Sequence, residues 1–258
     1  MNGEWLLPAT AVGFVGGAMV GMTGVGAGSV IAALLLVCYP ELSPQLIVGS
    51  ATAQAVVMKL FGVLARRHLH LGETRLGLTM AAGAAPLAIA GAWVSHRMHA
   101  EMLRPILAYV LCAVGALLVA QAVHHWGTGK QHTIAEKDPG FARVGVLGSV
   151  VGFIAGLTSI GTGTLFVSAL AGPLRLSAHR AVAAAMVAGL VTLVISAITH
   201  IALGHAQAAL VIGTCFGSVP GVVLGTAFAT RLPARALRGA IGAGIVIAAM
   251  IALVRVRG

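Results

Sequence analysis

Gly21-Met22-Thr23-Gly24-Val25-Gly26-Ala27-Gly28-Ser29 recurs 135 positions later as Gly156-Leu157-Thr158-Ser159-Ile160-Gly161-Thr162-Gly163-Thr164. The glycines leading into it recur too, with Gly13, Gly17 and Gly21 falling on Gly148, Gly152 and Gly156. At an offset of 134, Ser43 meets Ser177, Gly83 meets Gly217, Pro86 meets Pro220, Gly91 meets Gly225, Arg97 meets Arg231, and Leu103-Arg104 meets Leu237-Arg238. A shift that holds over so many positions marks an internal duplication. The polar interval between the copies, from His124 to Arg143, carries Gly, Pro, Lys and acids and reads as a connector. The chain thus divides into a first repeat over 1–123, a connector over 124–141 and a second repeat over 142–258.

Both repeats are almost free of charge. Of the 258 residues 59% are hydrophobic and 9% charged, against about 25% charged in soluble domains, and the mean hydropathy is +1.00. Residues 5–40, 76–96, 105–129, 144–174 and 181–230 hold no Asp, Glu, Lys or Arg, and each run exceeds the roughly 18 to 20 residues of a membrane helix. A water-soluble globule is excluded; the sequence is that of an all-helical, multi-pass membrane protein. Eight apolar segments follow: 5–39, 45–65, 76–95, 105–123, 142–173, 178–203, 206–230 and 237–254. The first of each repeat would be roughly 50 Å long as one helix, too long for one straight crossing, and its glycines are poor for helix continuity. Each repeat is therefore expected to open with a Gly-broken, re-entrant helix pair followed by three transmembrane helices.

Charge in the loops gives the orientation. If all eight segments crossed once, Lys and Arg would divide seven against eight. If the first segment of each repeat turns back, one side holds Arg66, Arg67, Arg75, Lys130, Lys137, Arg143, Arg175, Arg180, Arg231, Arg235 and Arg238, and the other only Arg97, Arg104, Arg255 and Arg257. Eleven against four is the bias that positive-inside loops produce. The reading is two inverted halves in the cell inner membrane, both termini outside and the connector in the cytoplasm. No Lys or Arg precedes Lys59, so the basic start of a cleavable signal peptide is missing and the N-terminus is expected to stay on the mature protein. The net charge of +10 is spread over these loops and forms no stripe for nucleic acid. Cys38, Cys112 and Cys215, odd in number and set in apolar stretches, read as packing residues.

Inverted repeats with interrupted helices are an architecture in which secondary transporters bind substrate near the midplane. Backbone opened at that depth must be buried in protein or line a wet cavity. The candidate substrate-binding residues are accordingly Gly24, Gly26, Ala27, Gly28, Ser29, Ser159, Gly161, Thr162, Gly163 and Thr164. Ser29 and Thr164 stand where a helix restarts and are expected as N-caps. Two such N-termini facing each other would offer amide donors and hydroxyls to an oxyanion. The competing reading is that the glycines only let helices approach, and for Gly13, Gly17, Gly21 and their counterparts that reading is preferred. A dinucleotide fingerprint is excluded for Gly24-x-Gly26-x-Gly28, since no strand precedes it and no acid follows about 20 residues on.

Ser50, Thr52, Gln54 and Lys59 follow in the second segment, with Thr192, Ser196 and Thr199 in the matching one. Of these, Gln54 joins the binding candidates. Lys59 is charged inside an apolar stretch, which marks it for gating or coupling, although snorkelling to the cytoplasmic face is an equal alternative. His200 is a second gating or coupling candidate and His205 lies in the turn beyond it; structural histidines at an interface are the commoner case. The other histidines, including His96, read as loop residues. Arg97, Arg104, Arg231 and Arg238 read as interfacial anchors, and Pro86 and Pro220 as points where helices bend. All six acids, Glu4, Glu41, Glu73, Glu101, Glu136 and Asp138, fall in loops or termini, which argues against sodium binding or a carboxylate proton relay in the membrane. No nucleotide-binding, hydrolase or metal motif occurs; no enzyme activity, cofactor or resident metal is expected.

The duplicated Gly-rich opening, Ser43-Pro44 to Gln54, and the basic turn Arg66-Arg67-His68-Leu69-His70-Leu71-Gly72 together resemble the TauE/SafE sulfite exporter family. The likeness covers nearly the whole chain. The family's first motif commonly runs Gly-x-Gly-Gly-Gly; here Ala27 replaces one glycine, and the second copy reads Ser159-Ile160-Gly161-Thr162-Gly163. The resemblance implies transport of small inorganic or organic sulfur anions, such as sulfite and organosulfonates, usually as export from the cytoplasm. The partners expected are that anion and the lipid bilayer, and a homodimer is compatible with the reading. Two alternatives stay open at this point: a metal-cation carrier using the ten histidines, and a membrane scaffold that moves nothing.

Overall fold

The structure, a computed structural model, describes residues 6–23, 26–65, 71–123, 140–174, 176–229 and 234–257. Within them every regular element is a helix: α1 Leu6–Thr23, α2 Ala27–Cys38, α3 Pro44–Ala65, α4 Leu71–Arg97, α5 Ala100–Val123, α6 Phe141–Thr158, α7 Thr164–Ala171, α8 Ala178–Ala202, α9 Ala208–Ala229 and α10 Ala234–Arg257. Helices satisfy their own backbone groups, which hydrocarbon requires. Seven of them (α3, α4, α5, α6, α8, α9 and α10) are long and apolar enough to cross a membrane, and α1 and α2 are shorter apolar helices. The eight apolar segments become ten helices because the first segment of each repeat is two, α1 with α2 and α6 with α7. Gly24 and the connector over 124–139 lie outside the described residues, as do Arg66, Arg67, Lys130, Lys137, Arg175 and Arg231 of the charge balance.

Close packing runs between the repeats. α1 lies along α9, α6 along α4, and α5 along α10, while α3 meets α8. The duplication relates α1 to α6 and α4 to α9, so the two tightest pairs are counterparts with the partners exchanged. Glycines set the approach in both. A Cβ added to Gly13, Gly17 or Gly21 would lie within 3.0 Å of the backbone of Thr214, Ser218 or Val222. One added to Gly148, Gly152 or Gly156 would meet Met80, Ala84 or Ala88 in the same way. Residue numbers rise together along each pair, so the paired helices run parallel. The close approach that small-residue spacing suggests is what the structure has, and Pro86 and Pro220 lie inside α4 and α9 without ending them.

Two apolar clusters result. One gathers α1, α2, α3, α5 and α10 around Ile31, Leu35, Ile47, Leu107 and Leu111. The other gathers α4, α6, α7 and α8 around Met80, Phe166, Leu170 and Ala184, and unites Val144 near the start of α6 with Leu170 near the end of α7. α7 therefore doubles back beside α6. Large apolar side chains such as Ile198, Phe216, Val223 and Ile247 stay exposed on the outside, as a lipid-facing surface requires. Arg104 donates to the carbonyls of Pro40 at 2.7 Å and Leu42 at 2.9 Å, tying α5 to the turn between α2 and α3. All three cysteines are free.

Candidate functional site

The helix breaks arise from local backbone chemistry. α6 stops at Thr158; Ser159 takes the left-handed conformation (φ 62°) while its N–H bonds the Ala155 carbonyl at 2.7 Å. Gly161 follows at φ 96°, a conformation open to glycine at little steric cost. α7 then begins at Thr164 with Gly163 as its N-cap, and α2 begins at Ala27 with Gly26 as its N-cap. This corrects one expectation: Ser29 and Thr164 are not N-caps but stand inside the first turn. Neither glycine cap carries a side-chain oxygen, so no side chain caps either helix start. The reason is contact between the breaks, since a Cβ on Gly26 would stand 3.0 Å from the Gly163 amide nitrogen and 3.2 Å from its Cα.

The first turns of α2 and α7 thus meet. The Gly161 N–H donates to Ser29 Oγ at 3.3 Å, and a Cβ on Gly28 would press on the Ser159 carbonyl and stand 3.2 Å from its hydroxyl. Ala27, Gly28, Ser29, Ser159, Gly161, Thr162 and Thr164 are all buried and Gly163 is half-buried. The Ser159 and Thr164 hydroxyls and Gln54 Oε1 have no hydrogen-bond partner, although an unpartnered buried polar group costs about 1–3 kcal/mol. Gln54, halfway along α3, donates through Nε2 to Ser218 Oγ at 2.7 Å, and Ser218 donates to the Thr214 carbonyl at 2.6 Å.

Lys59 reaches the same place. Its Nζ donates to the Thr162 carbonyl at 3.1 Å, inside the second break. α8 makes room with Gly189, where a Cβ would lie 2.8 Å from both Cε and Nζ of Lys59. The amine points inward to this carbonyl. Other polar candidates are engaged elsewhere: Thr52, Thr192 and Thr199 donate to carbonyls of their own helices, and Ser50 accepts from the Gln207 N–H at 3.1 Å.

His200 stands apart from the meeting point. Fully buried in the last turn of α8, it bonds the Gly156 carbonyl through Nε2 at 2.8 Å, in the final turn of α6. Its Nδ1 faces His205 Nδ1 at 3.2 Å, and His205 Nε2 faces His96 Nδ1 at 3.0 Å. Burial, and secondly the neighbouring His96, push the His205 imidazole below its ordinary value. The sequence reading placed His96 in a loop; it belongs to the last turn of α4. Ser218, His96 and the Thr162 carbonyl were not singled out. Ser218 had a weak signal, as a serine four residues after Thr214 on an otherwise apolar span.

Chemically, the meeting point is a set of donors: two helix starts carrying partial positive charge, two uncommitted hydroxyls and one ammonium group. Such a set suits an oxyanion better than a cation. Comparison with known proteins is consistent with a membrane role. Residues 9–252 match the family model described as "Sulfite exporter TauE/SafE". The chain is 27% identical over 234 residues to "Probable membrane transporter protein YjnA" of Bacillus subtilis (strain 168), with 88% of this chain and 91% of that protein aligned. No solved structure matches it significantly. With seven helices able to cross a bilayer and a match over nearly its whole length, the chain belongs to the sulfite exporter TauE/SafE family of membrane transporters.

Proposed function

We propose that this protein is a secondary transporter that exports small sulfur-containing anions, sulfite or organosulfonates, from the cytoplasm by alternating access, without a catalytic step or cofactor. The observation that carries the reading is the meeting of two glycine-capped helix starts beside two buried, unpartnered hydroxyls, Ser159 and Thr164. The anion sits between Gly26–Ser29 and Ser159–Thr164, with the amide ends of α2 and α7 and the two hydroxyls as donors. Gln54 fixes the floor through Ser218, and Lys59 supplies a nearby positive charge that releases Thr162 as the anion arrives. Because Gly26 and Gly163 are in backbone contact, the described arrangement is an occluded one, and α2 must part from α7 to admit an anion.

Two inverted repeats, 1–123 and 142–258 about a cytoplasmic connector, supply the motion. The exchanged pairs α1 with α9 and α4 with α6 support this division, as does α7 doubling back beside α6. In the inner membrane, with both termini outside, an inside-negative potential favours anion exit by about 2.3 kcal/mol per charge per 100 mV. Doubly charged sulfite gains roughly twice that, so export needs no driving ion. The test is flux of labelled sulfite and sulfoacetate from proteoliposomes under an imposed potential. Potential-driven flux that drops at least about ten-fold in Ser159→Ala supports the site; saturable flux unaffected by Ser159→Ala and Gly26→Leu places the anion elsewhere. No flux of either anion returns the protein to the scaffold alternative.

A further inference from the structure

Three imidazoles stand in file at one end of the molecule, joining an exposed position to the end of α6. His96 is exposed, His205 is 7% exposed and His200 is fully buried. The consecutive ring nitrogens are 3.0 and 3.2 Å apart, and the file ends on the Gly156 carbonyl at 2.8 Å. Gly156 lies three residues before Ser159, where the second helix break begins.

The carbonyl fixes every proton in the file. A carbonyl only accepts, so His200 must hold its proton on Nε2, and its Nδ1 is then an acceptor when the ring is neutral. His205 must donate to it from Nδ1, leaving its own Nε2 as acceptor, and His96 must donate to that nitrogen from Nδ1. All three N–H bonds then point inward, and Nε2 of His96 is left as the open, basic end. In this arrangement one added proton can travel without any ring moving. It binds His96 Nε2, the Nδ1–H of His96 passes to His205 Nε2, and the Nδ1–H of His205 passes to His200 Nδ1. Each N–H bond broken is matched by one formed, and the net result is a neutral His96, a neutral His205 and a His200 imidazolium still bonded to Gly156.

We propose that His96, His205 and His200 form a proton relay, and that a proton delivered to His200 gates the transport site one turn away. The output rests on the transport reading above; the relay itself does not. A charged His200 strengthens its bond to the carbonyl end of α6, where a cation is favoured. It also loses its acceptor toward His205, so the turn between α8 and α9 must shift. That turn is seated on α3, with a Cβ on Gly49 meeting the His205 carbonyl and the Gln207 N–H bonded to Ser50. Acidity at this end is thereby communicated both to α6, which carries the second break, and to α3, which carries Gln54 and Lys59.

The surroundings leave the file electrostatically plain. Arg97 on α4 lies 5.8 Å over the Trp93 ring, whose edge meets His96 with centroids 6.3 Å apart. Glu41 precedes α3, and His99, Glu101 and Arg104 stand at the start of α5. Near the file, α3, α6 and α9 contribute no ionisable side chain beyond these. Among the described residues none of these groups is hydrogen-bonded or ion-paired to the three imidazoles, and no three His, Cys, Asp or Glu side chains are grouped to hold a metal ion. The rings run in a line and converge on no common point.

Nitrogen-15 NMR of the full chain, histidine-labelled and in lipid nanodiscs, reads the tautomers without any substrate. At about pH 7.5, above the ordinary histidine value, the expected spectrum shows His205 as the Nδ1–H form and His200 as the Nε2–H form, assigned with His205→Gln and His96→Gln. His205 in the Nε2–H form overturns the relay, and so does convergence of all three rings on added Zn²⁺. Sulfite flux is then compared at about pH 5 and about pH 7.5 on the side bearing His96. Wild type should change roughly five-fold or more, while His96→Gln, altered only at the exposed end, keeps its flux at the higher pH and loses the response. Flux present but equally pH-dependent in His96→Gln overturns the gate. Absence of all anion flux, with the tautomers as stated, sinks the transport reading and leaves the relay standing.

Discussion

Replacing Thr164 by valine should stabilise the protein and cripple transport together. The Thr164 hydroxyl is buried, has no partner and opens the first turn of α7. Valine has nearly the same shape and equal β-branching, so packing against the neighbouring turn is kept and only the hydroxyl is lost. An unpartnered buried hydroxyl costs about 1–3 kcal/mol, and its removal should raise stability by a similar amount. The loss on the other side is a hydrogen bond to a charged ligand, about 1.5–3 kcal/mol, or roughly 10- to 150-fold in affinity. Stability is measured by reversible SDS titration in mixed micelles, and affinity by sulfite KM in proteoliposomes together with the stabilisation that saturating sulfite confers. That stabilisation is about 2.7 kcal/mol at a hundredfold excess over Kd. Thr192→Val is the control: its hydroxyl already donates to Ala188 at 2.7 Å, so the change should lower or leave stability and spare the KM. A Thr164→Val protein that is less stable, with an unchanged sulfite KM, would refute the assignment of this hydroxyl to the ligand.

Other outcomes follow from the same contacts. Gly17→Ala would place a Cβ 2.5 Å from the Ser218 carbonyl oxygen and 2.7 Å from its Cα; overpacking of about 1–3 kcal/mol should outweigh the ~1 kcal/mol of helix propensity gained, giving a net loss in SDS titration. Gly152→Ala, jammed against Ala84 on the other parallel pair, should behave alike, and the two losses should add because the sites share no partner. Lys59→Met should reduce sulfite flux at least about ten-fold while leaving the fold intact, since methionine fills the notch at Gly189; unchanged flux would remove Lys59 from the mechanism. His205 is held below its ordinary 6.5, so the unfolded chain takes up the proton first. Its contribution to stability is therefore complete above about pH 6.5 and lost as the pH falls toward the lowered value, with a slope no steeper than about 1.4 kcal/mol per pH unit for one proton. His205→Gln should flatten that acid-side slope, and a slope that persists would assign it to another group.

The helix breaks were legible because a glycine cluster in a long apolar run has few other uses, and because it occurs twice. Their contact was not legible. Nothing local tells Gly26 that Gly163 will face it, and that contact is why glycines rather than Ser29 and Thr164 occupy the caps. The parallel pairs were half legible: the spacing of Gly13, Gly17 and Gly21 announces a close neighbour without naming α9. Gln54 and Lys59 were found as polar residues in apolar surroundings, but their partners, Ser218 and the Thr162 carbonyl, are set by tertiary packing across more than 100 positions. His96 was read as a loop residue because the apolar segment ends at residue 95; in the structure α4 continues for two more residues and brings the ring to His205. A backbone carbonyl such as that of Gly156 carries no sequence signature at all, yet it sets the direction of the whole histidine file.

The exchanged glycine pairs also impose a schedule on synthesis. Gly83 finds Gly145 after 62 further residues, whereas Gly13 must wait 201 residues for Thr214. At about 5–20 residues per second, the second wait lasts roughly 10–40 s, during which α1 shows an unfilled seam to lipid. The α4–α6 pair is then already seated, so it serves as the platform on which the rest is assembled, and α1 joins last although it is made first. A nascent chain stalled before α9 should leave α1 loosely held and open to quality-control proteases, while the α4–α6 pair is already protected.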